Sequence, residues 1–391
     1  MLTTGQTGFV LYDTYMIIRD LALDISKRLH NDSKVVVLYG PRQVGKTTLV
    51  HKILDDSPLQ SLRVNAEISP IAKALSSRDP ATFRDVVGDH DILFIDEAQF
   101  LENAGLNLKI LNDHLPDLKI IVTGSSAFEI SQDISEPLTG RAWTHILYPI
   151  SFTELSRDHS THELQEQLQK RLVYGSYPEA ITLTGNTKKQ QYLTEIANQY
   201  LFKDIFTFAQ IKHHRKIKEL LQLLAYQIGS EVSVHTLSNE LNISRNAVNN
   251  YIDLLEKSFV LFRLGGFARN LRKEVRKMDK LYFYDLGIRN ALIRDFKPLS
   301  QRNDVGQLWE NFLVIERQKR NEYQKHFTNQ YFWRLHTGAE LDYVEEHSGQ
   351  QFGFEFKWGT KKANAPKSWS STYPNSEYSL INRETFLDFI L

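Results

Sequence analysis

Apolar positions along this chain change their period several times, and each change marks a new kind of element. Lys34-Val35-Val36-Val37-Leu38 is an unbroken β-branched run, the signature of a strand covered on both faces. Behind it, Thr48-Leu49-Val50-His51-Lys52-Ile53-Leu54 takes up helical spacing. Runs of the first kind return at 91–95, 118–123 and 144–150. After Phe152 the pattern turns helical and charged, with Leu164, Leu168 and Leu172 recurring every fourth residue. A turn at 174–179 leads to a second amphipathic helix predicted over 188–208, through Tyr192, Ile196, Tyr200 and Ile205. Between 215 and 262 short helices follow one another. Ile217, Leu220, Leu221 and Leu224 line the first, 236–241 forms the second, and 244–255 forms the third with Ser244 as its N-cap. A strand at 259–264 closes the group. The last third holds a helix at 307–316 and strands at 331–335, 340–344 and 351–357, the last strictly alternating. The pattern predicts an α/β chain in three parts, 1–155, 156–300 and 301–391.

Between the first strand and the first helix lies a loop with its own chemistry. Gly40, Pro41, Arg42, Gln43, Val44, Gly45, Lys46, Thr47 and Thr48 fit Gly-x-x-x-x-Gly-Lys-Thr, a phosphate-binding loop in its strand–loop–helix context. The glycines let the backbone turn its N–H groups toward a phosphate, and the helix adds its positive N-terminal end. Lys46 is expected to reach the β- and γ-phosphates of ATP, and Thr47 to offer a hydroxyl to Mg. The strand at 91–95 runs into Asp96 and Glu97. Asp96 is placed to hold magnesium opposite Thr47, and Glu97 to orient and polarise the water that attacks the γ-phosphate. The next strand ends in Thr123-Gly124-Ser125, where a polar side chain would sit beside the γ-phosphate; Ser125 is favoured over Thr123. Leu138-Thr139-Gly140-Arg141 sets an arginine after a glycine turn, either a charge donor to a neighbour's phosphate or a surface cation.

The strings GPRQVGKTT, LFIDEAQ, VTGSS, LTGR and YPISFTEL, in that order, resemble the AAA+-type ATPases of the AAA_14 group, which carry a C-terminal region called DUF4143. The resemblance implies a P-loop NTPase core of the AAA+/ASCE kind, with a strand inserted between the phosphate-loop strand and the strand ending in Asp96. It gives Arg141 a role at or near the nucleotide, across a subunit interface, and so a homo-oligomer. Arg42 and Gln43 match the family's loop as well. The Gly-x-Tyr-Pro-Glu turn at 175–179 resembles family positions too, and the helices around it read as a lid and linker over the nucleotide.

The helices at 215–262 followed by a strand read as a winged helix-turn-helix. Arg245, Asn246, Asn249 and Asn250 fall on the exposed face of its third helix, where they could touch a major groove. The stretch 263–280 sets Arg263, Arg269, Arg272, Lys273, Arg276, Lys277 and Lys280 against Glu274 and Asp279, a patch that could follow a DNA backbone or stand solvated. Further on, Asp342 and then Glu355-Phe356-Lys357 lie on successive strands behind a helix bearing Glu310. That order resembles the PD-(D/E)xK nucleases, a restriction-endonuclease-like α+β fold. The resemblance implies that Asp342 and Glu355 hold Mg, that Lys357 positions or polarises water, and that Glu310 supports the metal shell. The same charges also suit an edge strand kept soluble by alternating Glu and Lys.

Composition narrows the field. The formal net charge is zero, so any nucleic-acid contact must be a local patch. Cysteine is absent, which excludes disulfides and thiolate metal sites. The N-terminus lacks a signal-peptide pattern and no apolar run could cross a bilayer, so a cytoplasmic protein without membrane contact is expected. Two functions remain: an ATP-hydrolysing switch or motor coupled to a DNA-associated, nuclease-like half, and an ATP-dependent protein-docking module whose nuclease-like domain is inactive. A small-molecule kinase would suit the loop but not Glu97.

Overall fold

A computed structural model describes residues 17–124, 137–200, 214–268, 279–360 and 362–391. Five strands build the first sheet: β1 (Val35–Tyr39), β2 (Ser61–Asn65), β3 (Ile92–Asp96), β4 (Lys119–Gly124) and β5 (Ala142–Ile146). All pair in parallel, in the order β2-β3-β4-β1-β5. β4 thus lies between the phosphate-loop strand and the strand ending in Asp96, the insertion expected from the sequence. β1 and β3 are buried along their whole length, which explains their unbroken apolar runs.

Alternate side chains of these strands enter different cores. Val36, Leu38, Phe94 and Ile121 pack with Leu21, Ile25, Leu49 and Ile53, from the helices Leu21–Asn31 and Lys46–Asp55. Val35, Val37, Leu93, Ile95 and Ile120 pack on the other face with Phe83, Leu108 and Leu111, from the helices Pro80–Val87 and Ala104–His114. The first of these cores does not stop at the sheet. It continues through Phe152, Leu172, Leu255, Trp309 and Phe312 as far as Ile390.

The helices Phe152–Ser156 and Thr161–Tyr174 each open with a capping box, Ser151 with Glu154 and Ser160 with Glu163. The turn at 174–179 is confirmed: the second of these helices ends at Tyr174 with Gly175 as its C-cap, and a new helix starts at Pro178. Further along come the helix His214–Tyr226, β6 (Glu231–Val232), the helices Val234–Leu241 and Arg245–Lys257, β7 (Leu261–Gly266) and β8 (Asp279–Phe283). β8 pairs antiparallel with both β6 and β7. The helix Val305–Tyr323 then precedes β9 (Asn329–Arg334), β10 (Glu340–His347), β11 (Gln350–Phe356), the helix Lys367–Thr372 and β12 (Glu377–Ile381).

The strands from β6 onward form one seven-stranded sheet, β12-β11-β10-β9-β7-β8-β6. The join is a parallel pairing of Gly265 and Gly266 in β7 with Tyr331 and Phe332 in β9. A single sheet therefore runs across residue 300, where the change of pattern in the sequence marks a boundary. In the β10–β11 hairpin Tyr343 faces Phe354, a register that sets Asp342 beside Glu355 one step further on.

Candidate functional site

The loop after β1 has a backbone that only glycine accepts at its first position. Gly40 has φ +148°, and a Cβ there would lie 2.2 Å from the Leu147 carbonyl oxygen. Gly45, at φ +92°, is the residue before the helix Lys46–Asp55. Lys46 folds back over the loop, its Nζ donating to the carbonyls of Gly40 (2.9 Å) and Pro41 (2.8 Å). Gln43 and Thr48 are exposed, while Val44 is buried. Thr48 and Gly45 border a cavity of about 640 Å³ whose other walls include Ile17, Ile18, Leu49 and Pro178. That volume and apolar lining suit a flat heterocycle next to a phosphate site.

Thr47 faces Asp96 across the head of the sheet, its hydroxyl 3.0 Å from each carboxylate oxygen. The two expected magnesium partners are brought together, and a hydroxyl opposing a carboxylate beside a phosphate loop suits that ion. Thr123 completes the group from β4. It is fully buried, donates to Asp96 Oδ1 at 2.5 Å, and accepts the Glu97 backbone N–H at 3.1 Å. Glu97 sits at φ +55°, and its carboxylate accepts a hydrogen bond from Gln99. Ser125 lies outside the described residues.

Sequence patterns gave no hint of Arg19. This nearly buried guanidinium donates to the Val44 carbonyl (2.7 Å), the Tyr148 carbonyl (2.6 Å) and Glu154 Oε1 (2.9 Å). It braces the phosphate loop against the segments that follow β5. Pro41 and Arg42 border a small cavity whose far wall is Phe259 and Val260, just ahead of β7, and Tyr284, just after β8.

Arg141 takes a different place. Its carbonyl accepts the N–H of Val35 at 2.9 Å, so it stands at the start of β1 and the phosphate loop at the end. Five strand residues separate the two, roughly 16 Å at ~3.3 Å per residue. The guanidinium is half exposed and pairs with Asp113 at 2.8 Å.

Residues 32–156 match the AAA domain family, and residues 305–386 match a domain of unknown function, DUF4143. The chain thus joins an AAA domain to a DUF4143 region. Between them, residues 165–299 match a second domain of unknown function, DUF8612. An uncharacterized protein of Mycobacterium tuberculosis is 27% identical over 343 residues, covering 87% of this chain and 73% of its own length. Another, from Methanocaldococcus jannaschii, is 27% identical over 311 residues, covering 68% of this chain and 64% of its own. Among solved structures, AMPPCP-bound DnaA from Aquifex aeolicus aligns at 16% identity and TM-score 0.32, over 62% of this chain and 89% of DnaA. RuvB from Thermotoga maritima aligns at 16% identity and TM-score 0.30, over 62% and 86%.

In the DUF4143 region the acids are brought together, but with cations among them. Glu310 Oε1 accepts from Lys280 Nζ (2.8 Å) and from the Tyr282 hydroxyl (2.6 Å). Asp342 accepts the Phe356 N–H at 2.7 Å. Burial, and after it the charge of Glu310, push Asp342 up to about 7, against the pull of Lys280. Glu355 is ion-paired with Lys357. Among the described residues no three acids or histidines converge as ligands for a metal ion. The expected magnesium partners Asp342 and Glu355 lie on paired strands with Lys357 on Glu355 as expected, while Glu310, expected in support, is taken up by Lys280.

The basic stretch 263–280 also changes character. Lys280 is buried, and Arg263 is paired with Asp253 and Glu256, so neither end is a free surface cation. Arg269, Arg272, Lys273, Arg276 and Lys277 lie outside the described residues. The helix Arg245–Lys257 does begin at an N-cap, Ser244, whose hydroxyl accepts the Ala247 N–H at 3.1 Å. Arg245, Asn246, Asn249 and Asn250 are all exposed on it. Among the described residues no helix is long and apolar enough to cross a membrane.

Proposed function

We propose that this protein is an ATP-hydrolysing switch whose AAA domain drives the sheet and helices that follow it. The observation carrying this is Thr47 and Asp96 within hydrogen-bonding reach, directly behind Lys46 and its glycine loop. ATP would lay its phosphates along residues 40–48 and its base toward the cavity beside Ile18 and Pro178. Magnesium, held by Thr47 and Asp96, would supply positive charge to the phosphate oxygens. Lys46 would leave the Gly40 and Pro41 carbonyls for the β- and γ-phosphates. Glu97, released from Gln99, would orient the attacking water and accept its proton, and Thr123 would hold Asp96 and the Glu97 backbone in register. Ser125 stays a candidate beside the γ-phosphate. Arg141 would act on the nucleotide of an adjoining subunit, since its own is at the far end of β1.

The cavity that Pro41 and Arg42 share with Phe259 and Tyr284 supports coupling from the loop to the second sheet. That sheet begins in a helix–strand–helix–helix–strand–strand order typical of a winged helix, whose exposed Arg245, Asn246, Asn249 and Asn250 suit DNA. The docking of a protein on the same helix is the second reading, favoured by the neutralised ends of the basic stretch. ATP turnover in purified protein tests the first claim. Lys46→Ala and Glu97→Gln should each abolish it, and undiminished turnover in folded Glu97→Gln would remove Glu97 from the mechanism. Duplex binding that weakens steeply with salt supports the DNA reading; no binding at low salt overturns it.

A further inference from the structure

Three acids from three elements meet beneath the join of the second sheet: Glu310 from the helix Val305–Tyr323, Asp342 from β10 and Glu355 beside it on β11. A cluster of this charge, with Asp342 buried and Glu310 and Glu355 largely covered, needs a cation or protons. Of the two lysines that meet these acids, one is not on the surface. Lys280 and Tyr282 alternate on the same face of β8 and both reach Glu310 Oε1. The Lys280 side chain is 7% exposed, its ammonium also lies 5.6 Å from the centre of the Phe332 ring of β9, and Asp342 adds to the field that holds it charged. One ammonium therefore ties together three elements: its own β8, the helix carrying Glu310, and β9 next to the β7–β9 join.

We infer that Lys280 is the resident cation of this cluster, standing where a divalent ion would otherwise stand among the acids, and that the cluster is a clasp between β8 and the DUF4143 region rather than a hydrolytic centre. A divalent ion entering beside this ammonium would meet like charge in a place with little water to screen it. Lys357 adds a second positive charge at the outer rim, on Glu355. The sheet gains a fixed cross-link where its two halves join through Gly265, Gly266 and the Phe267 N–H.

The test is Mn²⁺ binding to the full chain without nucleotide, followed by the electron paramagnetic resonance signal of free Mn²⁺. Asp96→Asn serves as background, so that the AAA-domain site does not contribute. With Lys280 intact the free signal should be undiminished. Lys280→Gln should open one Mn²⁺ site at least about tenfold tighter, lost again in Lys280→Gln/Asp342→Asn. Binding with Lys280 intact that vanishes in Asp342→Asn overturns the inference, and so does a folded Lys280→Gln protein that gains no site. A second arm covers the case in which Lys280→Gln does not fold. Lys280→Met should lower the urea midpoint by leaving the largely covered Glu310 without its cation, and Lys280→Met/Glu310→Gln should recover most of that loss. Additive losses in the double variant overturn the clasp.

Discussion

Arg19 Nη1 lies 2.7 Å from the Val44 carbonyl, so a residue ahead of the first helix grips the phosphate loop from behind. The same guanidinium meets Glu154, which is fully buried. Removing it strands a carboxylate in the interior together with two carbonyls. Arg19→Met should cost about 3–5 kcal/mol in urea unfolding, the usual result of breaking one side of a buried pair. Arg19→Met/Glu154→Gln should restore part of it, and an unchanged midpoint in Arg19→Met would show that the brace carries no stability.

Thr123 joins Asp96 to the Glu97 backbone from a neighbouring strand. Thr123→Val keeps the shape and deletes both bonds. ATP turnover should fall roughly 10- to 100-fold, the effect of one or two misplaced polar contacts in a transition state. Binding of a fluorescent ATP analogue should change much less. Equal losses in binding and turnover would make Thr123 a packing residue only.

Arg141 pairs with Asp113 on the surface. Arg141→Ala should therefore alter stability by less than about 1 kcal/mol. If the side chain serves an adjoining nucleotide, turnover should collapse in Arg141→Ala and in Lys46→Ala alone, yet reappear when the two proteins are mixed. Mixed samples that stay inactive would argue against action between subunits.

Asp304 bonds to Arg289 (2.6 Å) and Arg302 (2.8 Å). Burial alone would raise its pKa, but the two guanidinium groups outweigh that and bring it down to about 2. The unfolded carboxyl titrates near 3.8, so its stabilisation is complete above that pH and fades as pH falls toward 2. After allowance for solvent screening this is ~1–2 kcal/mol. Asp304→Asn should be less stable than the parent at pH 7 and nearly equal to it at pH 2, as seen in urea midpoints across that range.

What the sequence made legible is what local chemistry dictates. The phosphate loop, the strand ending in Asp96 and the N-cap at Ser244 each depend on neighbours within a few residues, so a one-dimensional pattern records them. Lys280 shows the limit. Counted along the chain it belongs to a basic run, but the alternation of β8 turns it inward to Glu310, which lies thirty residues away. Arg19 escapes for the same reason, because its partners at Val44, Tyr148 and Glu154 become neighbours only once the first sheet has formed. Arg141 was recognisable as a residue of interest, while its distance from its own loop follows from the β1–β5 register alone.

The pairing of β7 with β9 has a mechanical consequence. A ladder of seven strands is stiff in its own plane, and with no gap at residue 300 it offers no pivot there. On the proposed coupling, a push passed across the cavity between Pro41 and Phe259 would swing everything from β6 to β12 as one plank, like an oar turning in a single rowlock. Cutting the chain between β8 and β9 would not release two independent modules. It would expose a raw strand edge on each piece, the kind of surface that sticks to copies of itself.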